Sequence, residues 1–155
     1  ILNKHSINYI LGKLDNSSLI FTVRDPKSIF NSLFNKNNKS NPDLVKNNLT
    51  KYYENIIFYH KNKNVIIISY NDLIDKPEVI IKYLCKKLSI DFAKSLLTPT
   101  FNHKKIKSNS SYQRFYGIKK SIKDNGFDFY NNLLTQNQIN NLEKLYKKVD
   151  YLCHQ

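Results

Sequence analysis

The sequence is poor in glycine and cysteine, with 3 glycines, 2 cysteines, no methionine and no tryptophan among its 155 residues. Gly12, Gly117 and Gly126 are far apart, so there is no glycine-rich loop that could wrap a phosphate with backbone N–H groups. Cys85 and Cys153 stand outside the common metal-ligand spacings. These absences exclude a P-loop and a cysteine-based metal site from this stretch of sequence.

Long apolar runs and a start residue are also missing. No stretch reaches the roughly 20 apolar residues that a membrane-spanning helix needs, and His60, His103 and His154 show no metal-ligand spacing. The chain begins at Ile1 and contains no methionine that could be its encoded start. We therefore expect that it is a piece of a longer protein.

Acidic residues are scarce, with 12 Asp and Glu against 25 Lys and Arg, which gives a formal net charge of +13. Such an excess favours anionic ligands and polyanionic partners, and the 11 tyrosines could stack on bases. The lysines are scattered, however, and the tyrosines recur at the spacing of helix cores. We therefore attribute most of the charge to composition and keep a nucleic-acid-binding domain without enzymatic activity as an alternative.

Hydrophobic periodicity predicts alternating strands and helices. Two short apolar runs, 18–23 and 64–70, have the length and β-branched content of buried strands. A continuous apolar run between helices indicates a strand covered on both faces, as in a parallel sheet. The order of elements predicts an α/β fold, a parallel sheet flanked by helices, in a single domain over 1–155. The predicted helices cover 1–14, 26–34, 43–61, a stretch from an N-cap at Asp75 to Leu88, and a last helix that starts at the capping box of Thr135 and Gln138.

The segment 19–32, LIFTVRDPKSIFNS, carries the clearest chemical signal. It predicts a strand that ends at Arg24, an Asp-Pro turn, and a helix that bears Ser28 and Ser32. The carboxyl end of a strand in an α/β sheet faces the crevice where such sheets bind ligands. The planar fork of arginine suits a phosphate, and a serine hydroxyl can complete the shell around its oxygens. Arg24 and Ser32 are therefore candidate anion ligands.

This segment resembles the 3′-phosphate-binding motif of sulfotransferases that use 3′-phosphoadenosine 5′-phosphosulfate (PAPS). In that family an Arg-Asp-Pro or Arg-Asn-Pro turn precedes a helix that carries a serine ligand. Arg24 and Ser32 match those two positions. The resemblance thus implies that both side chains bind the 3′-phosphate of PAPS.

A second segment, 66–73, with the sequence IIISYNDL, precedes a proline-started helix that ends in Leu-Ser-Ile at 88–90. It resembles the Tyr-Glu-Asp-Leu turn and the Leu-Gly-Ile helix end of the same family. Asn71 replaces the usual acid, and Ser89 replaces the usual glycine. Because family members bring the tyrosine close to the adenine, the resemblance makes Tyr70 a candidate adenine contact.

The resemblance implies a P-loop NTPase-like sulfotransferase fold, truncated at its N-terminus, and places the chain in the C-terminal part of a sulfotransferase domain. Such enzymes transfer a sulfuryl group from PAPS to a hydroxyl or amine of a small molecule, carbohydrate or protein tyrosine. They release adenosine 3′,5′-bisphosphate and need no metal. The family's 5′-phosphosulfate loop is absent here, so we expect no turnover from this chain alone. A P-loop kinase-like protein remains a further alternative.

A basic stretch at 103–112, HKKIKSNSSY, resembles the late loop that closes over the 3′-phosphate in the family. The resemblance makes Lys105, Asn109 and Ser110 candidate phosphate contacts, and Arg114 could take the place of the basic triplet that other family members carry there. The Arg-Lys-Gly triplet of the cytosolic animal enzymes is missing, which argues against that branch of the family.

Lys4 and His5 are candidates for the chemical step. In sulfuryl transfer a base takes the proton of the acceptor hydroxyl, while cations stabilise the charge on the sulfuryl group. Relatives place a lysine and a histidine upstream of the arginine motif. The resemblance therefore makes His5 a candidate base and Lys4 a candidate sulfuryl contact.

Overall fold

The structure is a computed structural model that describes residues 3–13, 17–36, 41–98, 100–101, 104–105 and 128–155. The chain forms two compact units, one from Ile1–Ser69 with Asn125–Gln155 and the other from Tyr70–Asp124. In chain order the elements are α1 (Lys4–Lys13), β1 (Leu19–Val23), α2 (Pro26–Lys36), α3 (Pro42–Tyr59), β2 (Val65–Ser69), α4 (Tyr70–Asp75), α5 (Pro77–Leu88), a 3₁₀ helix (Lys94–Leu97), β3 (Thr100–Phe101), β4 (Lys104–Lys105), α6 (Phe129–Leu133) and α7 (Gln136–Leu152).

The first unit is built around a parallel pair of strands, β1 and β2. The pairing continues to the last residue of each strand, where Val23 lies opposite Ser69. Ile66 and Ile68 are buried, and Ile67 packs against the main core, so both faces of β2 are covered. The parallel pairing and the flanking helices confirm the predicted α/β class.

One hydrophobic core joins the sheet to the helices of the first unit. Phe21 and Val23 contribute from β1, and Tyr53 and Ile56 contribute from α3. Their spacing along α3 gives that helix one apolar face toward the sheet. The core thereby anchors the end of β1 and the start of α2. Its other buried members are Ile7, Phe30, Val45, Leu49, Tyr59, Tyr130, Leu134, Leu142 and Val149.

The helix starts of this unit follow local capping signals. The predicted capping box is confirmed: the Thr135 hydroxyl accepts from the Gln138 backbone, and the Gln138 side chain accepts from the Thr135 backbone. α3 begins at Pro42 rather than at 43, because the side chain of Asn41 accepts from the Asp43 backbone N–H at 2.9 Å. Helix α6 was not predicted, since its five residues are too few to show a helical period.

The second unit holds α4, α5, the 3₁₀ helix and the antiparallel pair of β3 and β4. The turn expected after β2 is the short helix α4. The expected N-cap Asp75 is the last residue of α4, and Lys76 occupies the N-cap position of α5 without a side-chain cap bond. Pro77 explains the difference: proline favours the first helical position, so the cap falls on the residue directly before it.

Helix α5 ends on a residue in the left-handed backbone region. Ser89 has a φ of 54°, and the Ile90 N–H donates to the Cys85 carbonyl at 3.0 Å. Glycine adopts this conformation without the steric cost that a Cβ carries. The serine that the sequence has in place of the glycine expected from the resemblance therefore occupies a position where the backbone favours glycine.

Ser89→Gly is accordingly expected to raise the free energy of unfolding by about 0.5 kcal/mol. Glycine removes the steric strain of the Cβ atom, and its greater freedom in the unfolded chain offsets part of this gain. Urea denaturation followed by circular dichroism measures the change. Lys87→Gly, an exposed position inside the same helix, should instead lower the free energy of unfolding by about 1 kcal/mol. A loss of stability in Ser89→Gly would contradict this account of the cap.

Candidate functional site

The carboxyl end of β1 places Arg24 at the edge of the sheet. Val23 is the last paired residue of β1, and Arg24 follows it directly with its side chain partly exposed. Ligands of open α/β sheets bind outside the carboxyl ends of the strands. The fold thus places Arg24 at the edge where the sequence predicts an anion ligand.

Two tyrosines of α3 hold the backbone at this edge. The Tyr53 hydroxyl donates to the Arg24 carbonyl at 2.7 Å, and the Tyr52 hydroxyl donates to the Thr22 carbonyl at 2.9 Å. Burial raises the pKa of Tyr52 to about 12. Burial, together with the nearby Asp25 carboxylate, raises the pKa of Tyr53 well above its usual range. Both hydroxyls therefore remain neutral hydrogen-bond donors at any physiological pH.

The turn after Arg24 is held by a helix cap. The Asp25 carboxylate accepts from the Ser28 backbone N–H at 2.7 Å, and the Asp25 carbonyl accepts from the Ile29 N–H at 3.2 Å. Pro26 is the first residue of α2, as its fixed φ favours. The acidic side chain beside Arg24 is thus engaged in starting the helix.

Helix α2 carries two serines on one face. Ser28 lies in its first turn and Ser32 one turn later, four residues apart, so the two side chains project from the same side. Ser32 is exposed and Ser28 is half-buried. A hydroxyl therefore projects from the helix that directly follows the Arg24 turn.

A second row of α2 residues anchors the helix to α6. The Asn31 side-chain oxygen, buried, accepts from the Tyr130 backbone N–H at 2.9 Å. Lys27 pairs with Asp128 at 2.6 Å, and this hydrogen bond lowers the pKa of the Asp128 carboxyl. Because α2 is fixed along this row, the serine row beside it has a defined direction.

Lys4 and His5 lie in the first turn of α1, and both side chains are exposed. The Tyr59 hydroxyl donates to the Lys4 carbonyl at 3.3 Å, so the start of α1 lies beside the last turn of α3. Tyr53, which contacts Arg24, is six residues earlier on α3, about 9 Å along the helix axis. Lys4 and Arg24 therefore contact different turns of α3. The catalytic assignments of Lys4 and His5 stay predictions.

The remaining candidates belong to the second unit. Tyr70 is the first residue of α4 and is half-buried. Lys105 ends the short strand β4. Asn109 and Ser110 lie outside the described residues, as does Arg114. The roles of all five in ligand binding stay predictions.

Several tyrosines that could have served a nucleic-acid interface are core residues. Tyr53, Tyr59 and Tyr130 are 0%, 6% and 2% exposed, so their rings cannot stack on bases. Tyr9, Tyr83 and Tyr151 are the exposed tyrosines among the described residues. Burial of these rings weakens one of the two arguments for the nucleic-acid alternative.

Two general site types are absent from the described part of the chain. No described helix combines the length and apolar character needed to span a membrane. Nor do three or more described His, Cys, Asp or Glu side chains gather where they could hold a metal ion.

The side chains that hold the Arg24 turn were not identified from the sequence. Helical periodicity assigns Tyr52 and Tyr53 to the core of α3, and it gives no information on where their hydroxyls end. Asn31 lies between apolar positions of α2 and carries no motif. The sequence signal for this site was limited to an arginine at a strand end followed by Asp-Pro, which identifies the turn and not the side chains that hold it.

Together these contacts fix a segment that carries two kinds of hydrogen-bond donor. It consists of a partly exposed arginine on a fixed strand end and an exposed serine on the following anchored helix. Guanidinium and hydroxyl donors match the oxygens of a phosphate group. We refer to residues 24–32 as the Arg24–Ser32 segment.

Comparison with known proteins shows a similarity in structure. No family model matches the chain, and no curated protein matches it. A solved structure, "Sulfotransferase Domain from the Curacin Biosynthetic Pathway", is similar with a TM-score of 0.60 at 19% sequence identity. The match covers 88% of this chain and 54% of that one, so the chain spans about half the length of the solved domain. The chain thus has a sulfotransferase-like fold.

Proposed function

We propose that this chain is the 3′-phosphate-binding part of a sulfotransferase that uses PAPS as its sulfuryl donor. The observation that carries the proposal is the Arg24–Ser32 segment. It sets an arginine at the carboxyl end of a parallel strand and an exposed serine on the next helix. The sulfotransferase-like fold supports the same assignment at a coarser level.

The side chains of the segment fit the chemistry of a phosphate monoester. Arg24 supplies a delocalised charge and several N–H donors, which suit two phosphate oxygens at once. Ser32 supplies a neutral donor that can bind a third oxygen. The N–H of Ser28 at the helix start is taken by Asp25, so recognition rests on side chains rather than on the helix terminus.

PAPS would supply the sulfuryl group, and the Arg24–Ser32 segment would hold the nucleotide by its 3′-phosphate. The acceptor would be a hydroxyl or amine of a small molecule, a carbohydrate or a protein tyrosine. Tyr70, Lys105, Asn109 and Ser110 are further proposed nucleotide contacts. Lys4 and His5 are proposed for the sulfuryl step on the resemblance alone, and the binding proposal does not depend on them.

The test compares two nucleotides that differ only in the 3′-phosphate. Adenosine 3′,5′-bisphosphate is expected to bind the intact protein more tightly than 5′-AMP in isothermal titration calorimetry. Arg24→Ala should reduce the affinity for the bisphosphate by about 10- to 100-fold, since it removes charge-assisted hydrogen bonds. The affinity for 5′-AMP should remain unchanged.

Lys27→Ala is the matched control, because it removes a neighbouring cation that pairs with Asp128. Its affinity for both nucleotides should stay within about twofold of the starting protein. Equal affinity for both nucleotides in the starting protein would contradict the proposal. Tight binding of RNA with a steep salt dependence would favour the nucleic-acid alternative, and a preference for ATP would favour the kinase alternative.

A further inference from the structure

At the carboxyl end of β1, side chains donate hydrogen bonds to the backbone on the edge that faces away from β2. In a parallel pair, alternate residues direct their backbone groups toward the partner strand. The Leu19 N–H donates to the Asn64 carbonyl at 2.8 Å, which sets this alternation. Thr22 therefore directs its carbonyl away from β2, and Arg24 is two residues further on. The hydroxyls of Tyr52 and Tyr53 bond to these two carbonyls.

Tyr53 is itself held firmly. Its side chain is 0% exposed. Its ring centre lies 5.8 Å from that of Tyr52 and 6.2 Å from that of Tyr146. A ring fixed by neighbours places its hydroxyl at one point, and the raised pKa keeps that hydroxyl a donor. The Arg24 carbonyl therefore meets a rigid donor rather than a mobile one.

The Arg24 backbone is thus fixed from three directions. Pairing of Val23 with Ser69 fixes the residue before it, the Asp25 cap fixes the residue after it, and Tyr53 fixes its own carbonyl. Of the three, only the Tyr53 contact acts on Arg24 itself. A guanidinium binds a phosphate with two parallel hydrogen bonds only when its own position is well defined.

We infer that Tyr53 is a positioning residue that sets Arg24 for recognition of the 3′-phosphate. The inference rests on the proposed function, and it assigns to the buried hydroxyl of α3 a part of the nucleotide specificity. Tyr53 touches no ligand in this role. It acts through the hydrogen bond to the Arg24 carbonyl, so its loss should weaken recognition of the 3′-phosphate and leave the rest of the nucleotide unaffected.

Tyr53→Phe tests this inference in the intact protein, because it removes one oxygen atom and keeps the ring. The readout is the ratio of the affinities for adenosine 3′,5′-bisphosphate and 5′-AMP. We expect this ratio to fall by about tenfold. Thermal melting confirms that the variant is folded at the temperature of the titration.

Two variants on neighbouring rings provide the controls. Tyr146→Phe removes a hydroxyl that bonds to Asp150 at 3.2 Å on its own helix, and it should leave the ratio unchanged. Tyr52→Phe removes the same kind of bond at Thr22 and should change the ratio less than Tyr53→Phe does.

An unchanged ratio in Tyr53→Phe would overturn the inference while leaving the proposed function intact, provided that Arg24→Ala abolishes the preference. Equal weakening of both nucleotides would also overturn it, since that result indicates general loosening of the fold. A starting protein without any preference for the bisphosphate would instead remove the proposed function, and with it this inference.

Discussion

Phe30→Ala is expected to lower the free energy of unfolding by about 3–5 kcal/mol, the range for removing a buried aromatic ring. Phe30 is 0% exposed. Its ring stacks on Phe34 at 5.9 Å and meets the edge of Tyr130 at 5.7 Å. Alanine at this position would leave a cavity between α2 and α6. The neighbouring rings of Phe34 and Tyr130 cannot fill this space unless their helices move.

Urea denaturation followed by circular dichroism measures the loss. Phe58→Ala is the control, because Phe58 is 65% exposed. Its ring contacts the Lys4 ammonium at 4.6 Å and the Tyr59 ring at 4.9 Å. That substitution should lower the free energy of unfolding by less than about 1 kcal/mol. Similar losses in both variants would contradict the position of Phe30 at the centre of the core.

Asn31→Ala is expected to lower stability and Ser32→Ala to lower nucleotide affinity, although the two residues are adjacent on α2. Asn31→Ala leaves the buried Tyr130 N–H without its acceptor, which should lower the free energy of unfolding by about 1–3 kcal/mol. Ser32 is exposed, so Ser32→Ala should change it by less than about 0.5 kcal/mol. Denaturation of the two variants under the same conditions measures this difference.

Nucleotide binding should be affected in Ser32→Ala and not in Asn31→Ala. Ser32→Ala should lower the affinity for adenosine 3′,5′-bisphosphate by about tenfold, since one hydrogen bond to a charged phosphate is lost. Asn31→Ala should bind the bisphosphate with nearly unchanged affinity below its melting temperature. Loss of stability in Ser32→Ala, without loss of binding, would show that its hydroxyl belongs to the fold instead of the site.

Local sequence was sufficient to predict the backbone of the Arg24–Ser32 segment. A run of apolar and β-branched residues before Arg24 predicts the strand, and the Asp-Pro turn with the helical spacing after it predicts α2. The structure has both elements, with β1 ending at Val23 and α2 starting at Pro26. Each of these features depends on residues within a few positions of one another.

The contacts that rigidify the segment could not be predicted in this way. The Tyr53–Arg24 bond joins residues 29 positions apart, and the Asn31–Tyr130 bond joins residues 99 positions apart. Both depend on the direction of one polar atom within an otherwise apolar face. Periodicity predicts which face of a helix is buried, and it carries no information about such an atom.

Ser89 illustrates a third relation between sequence and structure. It stands where the resemblance to sulfotransferases leads one to expect glycine, and the sequence alone shows no consequence of this difference. The backbone shows a φ of 54° at this residue, so the helix end retains a conformation that favours glycine while a serine occupies it.

The most direct test of the central claim uses the arginine side chains themselves. Arg24 and Arg114 are the two arginines of this chain, so ¹⁵N-arginine labelling gives few Nε–Hε signals, and Arg24→Lys identifies the one from Arg24. The account predicts that adenosine 3′,5′-bisphosphate shifts this signal strongly and that 5′-AMP leaves it in place. An Arg24 signal that responds to neither nucleotide, or equally to both, would contradict the assignment of Arg24 to the 3′-phosphate.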